Sequence, residues 1–211
     1  MSELFTPPKY FQDVKFHSHT DRTVGWLELF YDLVYVATLI QVGNFLSSNL
    51  TLLGFGQFLV LMFVVWWSWG GETLYQNRFV VDDVWHRLLV FIQIFGVAAM
   101  GLSVSEAFGN LYVQFTLGYV LVRFMLILMY VRVYTAHPES RLISVRFMIG
   151  IAGGIVIWVG AIFLPSEYHW VAWLGAILFE IIFFGLPALI RELKRWGPDL
   201  HHMLERYGIF T

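Results

Sequence analysis

Five ionisable side chains stand inside otherwise apolar stretches of this sequence: Glu28, Asp32, Glu72, Arg123 and Glu180. A charged group in hydrocarbon costs about 2.5–3.5 kcal/mol on insertion scales, so such groups usually face a bundle interior and pair with one another. Glu28 and Asp32 are four residues apart and share one face of a helix, which Tyr35 continues. Glu72 follows Trp66-Trp67-Ser68-Trp69, with Ser68 one turn before it on the same face. Arg123 shares its face with Thr116, Tyr119 and Tyr130, a polar stripe in an apolar segment. At a rise of about 1.5 Å per residue, Asp32 lies roughly 10 Å into its span, Arg123 roughly 18 Å into its own, and Glu180 at a similar depth. The three fall near one level. A buried guanidinium without a partner is costly, so Arg123 is expected to pair with Asp32, Glu180 or both.

Two main readings of this set stand. One is a structural ion pair that fixes helix register. The other is a polar centre that binds or gates a charged solute or a proton, and the excess of acids over the single Arg favours it. Snorkelling of a rim residue to the lipid boundary is a third.

A second group is Asn77, Arg78, Asp82, Asp83, His86 and Arg87. Arg78 and Asp82 are four apart, as are Asp83 and Arg87. On a helix these are surface ion pairs worth about 0.3–0.5 kcal/mol each. The other reading is a gate or ligand loop, with Asn77, Arg78 and Asp82 turned to the mouth beneath Glu28 and Glu72. Asp82 and His86 share a face, His201-His202 precede Glu205, and His17 and His19 lie in a polar tail. None of these sets supplies three converging metal ligands with an open position. The chain has no Cys, and no hydrolase, zincin, Walker or dinucleotide fingerprint occurs. No metal, cofactor, enzymatic reaction or nucleic-acid partner is expected.

These residues need elements to hold them. Of 211 residues, 58% are hydrophobic and 13% charged, against about 25% charged in soluble domains. The solvent of such a surface is partly lipid. Six stretches are long enough to span a bilayer: about 26–46, 52–75, 88–104, 111–131, 143–164 and 170–190. The chain is read as an all-α integral membrane protein, a six-helix transmembrane bundle over residues 26–190. A segment 1–25 precedes it and a segment 191–211 follows. The first segment is polar and carries no apolar run before a small-residue cleavage site, so no cleaved signal is expected. Twelve of the thirteen Lys and Arg fall in the two terminal segments and in the loops after the second and fourth stretches; the other loops carry only Glu106 and Glu167. Cytoplasmic loops hold the Lys and Arg excess, so both termini are placed in the cytoplasm. Gly150 and Gly154 form a small-xxx-small pair, read as intramolecular packing or as a dimer seam.

Two runs carry a resemblance: Trp26-Leu-Glu-Leu-Phe-Tyr-Asp-Leu-Val-Tyr-Val36 and Leu74-Tyr-Gln-Asn-Arg-Phe-Val-Val-Asp-Asp-Val-Trp-His-Arg-Leu88. With Arg123 and Leu204-Glu-Arg-Tyr-Gly-Ile-Phe-Thr211, they make the chain similar to the bacterial low temperature requirement A family. Members of that family are about twice as long, and the matching C-terminal run leads into further membrane helices, so the chain is expected to correspond to an N-terminal half. The family name records a growth phenotype. The resemblance implies a multi-pass protein of the bacterial cytoplasmic membrane and says little about mechanism.

The function expected is movement or gating of a small ion, proton or polar solute through the carboxylate–Arg centre. The alternative is a non-transporting membrane scaffold or stress-response sensor with structural charges. Expected partners are membrane lipids, a small ion or polar solute, and a second copy or partner half. Reporter fusions test the topology: those after Asn49, Asn110 and Ser166 should report outside, and those after Asp83, Ser140 and Arg195 inside. A clear reversal at one position overturns the six-span reading.

Overall fold

The computed structural model of the protein describes residues 15–16, 25–80, 83–165 and 168–184. They form six α-helices: α1 (Trp26–Ser48), α2 (Leu52–Gln76), α3 (Val84–Ser103), α4 (Tyr112–Ala136), α5 (Arg141–Ala161) and α6 (His169–Phe184). Five of them, counting the 3-10 turn Val104–Glu106 with α3, are long and apolar enough to cross a membrane. A span of 21 to 25 residues is about 31–38 Å long, against a hydrocarbon core of about 30 Å. The described part of α6 is apolar and 16 residues long. A departure from an all-helical chain is a two-residue ladder, in which β1 (Lys15–Phe16) pairs antiparallel with β2 (Phe79–Val80). It ties part of the N-terminal segment to the loop after α2.

Helix ends follow local chemistry. Thr51 caps α2, its hydroxyl accepting the Gly54 N–H at 2.9 Å. Asp83 caps α3, its carboxylate accepting the His86 N–H at 2.8 Å, so α3 starts four residues before the expected Leu88. Helix α4 runs five residues past its expected end to Ala136. It stops at His137, whose extended backbone suits the residue before Pro138.

The most extensive packing joins chain neighbours: α3 on α4, α4 on α5, and α5 on α6. Helix α1 packs on both α3 and α2, while α2 meets α4 and α6 more sparsely. Helices α3 and α4 approach closely, and a Cβ on Gly118 would stand 2.7 Å from the Gly96 carbonyl oxygen. Close approach through small residues is the usual way membrane helices gain contact. The Gly150–Gly154 face lies against Phe183, Phe184 and Glu180 of α6, in keeping with the intramolecular reading of that motif.

The radial order of polarity is inverted relative to a soluble bundle. Asp32, Tyr35, Ser68, Glu72, Gln93, Arg123 and Glu180 are buried, while Leu33, Leu52, Phe95, Leu102, Val156 and Phe163 are more than half exposed. Apolar atoms outside and polar atoms inside are what a lipid solvent demands.

Candidate functional site

Six consecutive residues of α2, Trp67 to Glu72, organise the polar interior. The Trp67 indole N–H donates to Glu180 Oε2 of α6 at 2.7 Å. The Ser68 hydroxyl lies 2.9 Å from the Tyr35 hydroxyl of α1, which also accepts from Tyr31 at 3.2 Å. The Trp69 indole N–H donates to Asp32 Oδ1 of α1 at 2.8 Å. Gly71 lies against Arg123 of α4, where a Cβ would come within 2.5 Å of Nη1. Glu72 accepts from Gln76 at 2.8 Å and from Gln93 of α3 at 3.0 Å, and Gln93 also donates to the Val122 carbonyl. A helix turns about 100° per residue, so six residues reach every neighbour around α2.

Arg123 donates through Nη2 to Glu180 in an ion pair with both side chains buried. It also lies 5.6 Å from the centroid of the Tyr119 ring, a cation–π contact. The Glu180 carboxylate has room only because its neighbour on α5 is Gly154, where a Cβ would collide with it. Glu180 therefore holds charges and dipoles from α4 and α2 at one point. Of the two expected partners of Arg123, the structure selects Glu180. Asp32 lies on α1, which packs on α2 and α3, and the Trp69 indole is its hydrogen-bond donor from α2. The snorkelling reading fails for Arg123, which is 1% exposed.

Glu28 lies one turn before Asp32 on α1, and Glu72 lies one turn after Ser68 on the antiparallel α2, so both stand toward the same end of the bundle. Beside Arg123 a cavity of about 170 Å³ separates α2 from α5 and α6, lined by Trp67, Gly70, Thr73, Leu126, Ile151 and Phe184 among others. Among the described residues no three His, Cys, Asp or Glu side chains are grouped to hold a metal ion.

The loop after α2 departs from both of its expected forms. Residues 77–80 and 83 are not helical, so Arg78 and Asp83 do not stand on the helix that the expected spacing of four assumed. Asp82 lies outside the described residues, as do His17, His19, His201, His202 and Glu205. Asp83 is buried, and Arg132 at the far end of α4 grips it with both terminal nitrogens, at 3.1 and 2.5 Å. Cap and bidentate pair together fix the start of α3 against α4. His86 is buried and stacks on Tyr75, and Arg87 is half-buried in the first turn of α3. Asn77 and Arg78 are buried rather than turned to an open mouth. Desolvation pulls the Arg78 guanidinium below its usual pKa, with the nearby Tyr130 hydroxyl opposing that shift.

The sequence reading missed Gln93, Gln76, Gly71 and the two indole donors, and it read Gly154 as a packing residue without its contact to Glu180. Gln93 was findable as a lone amide in an apolar span. Trp67 and Trp69 were not, since tryptophan in a membrane protein usually marks an interface. Gly71 and Gly154 show their roles only once helix rotation is known.

The family model described as Bacterial low temperature requirement A protein (LtrA) matches residues 23–211. An uncharacterized protein of Rhizobium meliloti (strain 1021) is 26% identical over 201 residues, covering 92% of this chain and 49% of its own length. The chain thus spans about half the length of that curated relative. No solved structure matches.

The ion pair makes a direct prediction for stability in detergent. Arg123→Leu leaves a buried carboxylate facing apolar atoms and should cost about 3–5 kcal/mol in unfolding free energy. Adding Glu180→Leu should recover part of that loss. Strictly additive losses in the double variant mean the two side chains do not support each other.

Proposed function

The chain belongs to the bacterial low temperature requirement A family and is a polytopic membrane protein, and from that premise we propose that it moves or gates a small ion, a proton or a polar solute through the Glu28–Asp32–Glu72–Arg123–Glu180 centre. The observation that carries this reading is the concentration of five ionisable side chains, none more than 5% exposed, on four helices of a lipid-facing bundle. Keeping charge in hydrocarbon is expensive, and where proteins do so the residues usually mark an ion or proton path. The carboxylates are graded along α1 and α2, from Asp32 toward Glu28 and Glu72, which suits stepwise passage between the centre and one end of the bundle. The cavity beside Arg123 has room for a small solute, and its apolar walls strengthen the field of the charges at its floor.

In this reading the protein has six spans in the cell membrane with both termini cytoplasmic, it performs no covalent chemistry, and a second copy or a partner half completes the working assembly. The positions of Arg78, Arg87, Arg132, Arg141 and Arg146 support that orientation. The Asp83–Arg132 contact adds support, since it brings the loop after α2 and the end of α4 to one level.

One observation favours the other reading, a membrane scaffold or stress sensor without transport. The Arg123–Glu180 pair is fully buried and joins α4 to α6, which a register-fixing role would explain. The two are separated at Asp32, which lies outside that pair. Asp32→Asn keeps the side-chain shape and an acceptor for the Trp69 indole, so expression and melting temperature should be nearly unchanged. Proton or monovalent-cation flux in reconstituted liposomes should fall by about tenfold or more, the loss expected when a charged group in a path is neutralised. Full flux in this variant, or no flux in the parent protein across a panel of small solutes, leaves the scaffold reading in place.

A further inference from the structure

A second polar cluster, separate from the Arg123 centre, lies where the loop after α2 meets α4 and α5. Arg78 is 93% buried by its 7% exposure, and its Nε and Nη1 have no hydrogen-bond partner. It makes no ion pair among the described residues, and Asp83, five positions on in the chain, is held by Arg132. Its guanidinium carbon lies 6.0 Å from the centroid of the Phe147 ring on α5. The Tyr130 ring of α4 stacks on that same Phe147 ring at 4.9 Å and 6°, which puts the Tyr130 and Arg78 side chains on a common neighbour. Ser144 precedes Phe147 by three residues and shares its side of α5, and Ser140 is the residue that precedes the helix. The hydroxyls of Tyr130, Ser140 and Ser144, all at most 1% exposed, have no partner, and neither do the side-chain amide atoms of Asn77.

Buried polar groups are satisfied in all but a few cases, and a buried charge is nearly always compensated. Here one cation and three hydroxyls lack partners together, on three adjacent elements, at one end of the bundle. Apart from the Asn77 carbonyl, every unmatched group is a donor or, as a hydroxyl, able to act as one. The complement of such a set is a compact anion with several acceptor oxygens. A carboxylate of the protein would serve, but among the described residues none pairs with Arg78.

We infer that Arg78, Tyr130, Ser140 and Ser144, with Asn77 at the edge, form a binding site for a phosphate oxyanion. Arg78 supplies the charge and a fork of N–H donors, and the three hydroxyls take the remaining oxygens. The site lies just beyond the end of α2 and at the start of α5, the depth of the lipid headgroups, where basic pockets between helices hold anionic lipids. The phosphate therefore has two sources with the same chemistry: a phospholipid headgroup, or a free phosphate from the adjoining aqueous phase. The site shares no residue with the proposed transport centre and stands without it.

The test uses the full chain, delipidated and placed in bicelles of a phosphate-free glycolipid, with thermal unfolding as the readout at constant ionic strength. Sodium phosphate against sodium chloride tests the free anion, and added phosphatidylglycerol tests the headgroup. A melting temperature raised by phosphate assigns the free anion; one raised only by phosphatidylglycerol, with the lipid retained in native mass spectrometry, assigns the headgroup. Arg78→Gln should weaken the response by about tenfold or more in ligand concentration, the usual result of losing a charged hydrogen-bond partner. Since Arg78→Gln can also impair folding, the paired variant Tyr130→Phe with Ser144→Ala provides the second arm. It removes two hydroxyls without adding bulk, should fold as well as the parent without ligand, and should lose most of the ligand-induced rise. A parent protein that responds to neither source overturns the site. So does a response that both variants retain in full.

Discussion

A guanidinium in the middle of a hydrocarbon slab has no water to solvate it, and the chain is arranged around meeting that requirement for Arg123. Its counter-ion comes from α6, 57 residues away, and the space for the pair comes from glycines on the two flanking helices. Gly71 lets α2 lie against the guanidinium, and Gly154 lets α5 lie against the Glu180 carboxylate. Any side chain at either position would push the pair apart or out of plane. The Trp67 indole donates to the same Oε2 of Glu180 that Arg123 pairs with, so one carboxylate oxygen carries both the guanidinium charge and the indole dipole. The pair thus fixes the mutual rotation of α2, α4, α5 and α6 at one level.

The acids of α1 and α2 go beyond what that pair needs. Asp32 and Glu72 are each held by neutral donors, an indole and two carboxamides, from helices next to their own or from their own helix. The proposed function divides this buried cluster into Arg123 with Glu180 as the fixed part, and Asp32, Glu72 and Glu28 as the working part. The Asp83–Arg132 pair holds the start of α3 against α4 at one end of the bundle.

Much of this was legible in the sequence, and the parts that were not share a cause. Apolar run length located the helices to within a few residues, since the bilayer leaves few alternatives. The two larger errors, at the start of α3 and the end of α4, came from a cap at Asp83 and a stop before Pro138, both local features of loop chemistry. Depth counting correctly brought Arg123 and Glu180 to one level. It could not choose between Glu180 and Asp32, because rise along a helix says nothing about rotation. The loop reading failed more fully. Spacing of four suggested pairs within residues 78–87, yet Asp83 reaches Arg132, 49 residues on, and Arg78 is buried against Phe147. Nothing within the loop itself records such long-range partners. The stack of Tyr119, Trp158 and Trp173 on the far side of Arg123 is equally a product of packing, invisible as a pattern.

The central claim is that the centre around Ser68 communicates with water although it is sealed in the structure, and the absence of any Cys in the chain makes this directly measurable. Ser68→Cys changes one atom beside Tyr35, Asp32 and Glu72 and introduces the sole thiol. Its reaction with a small, charged, membrane-impermeant thiol reagent should be followed in native vesicles of both orientations, against Val97→Cys as a buried position outside the centre. The account predicts that Ser68→Cys reacts from one side of the membrane, faster than Val97→Cys. A Ser68→Cys thiol that stays inert from both sides, and reacts only after the protein is unfolded, contradicts it.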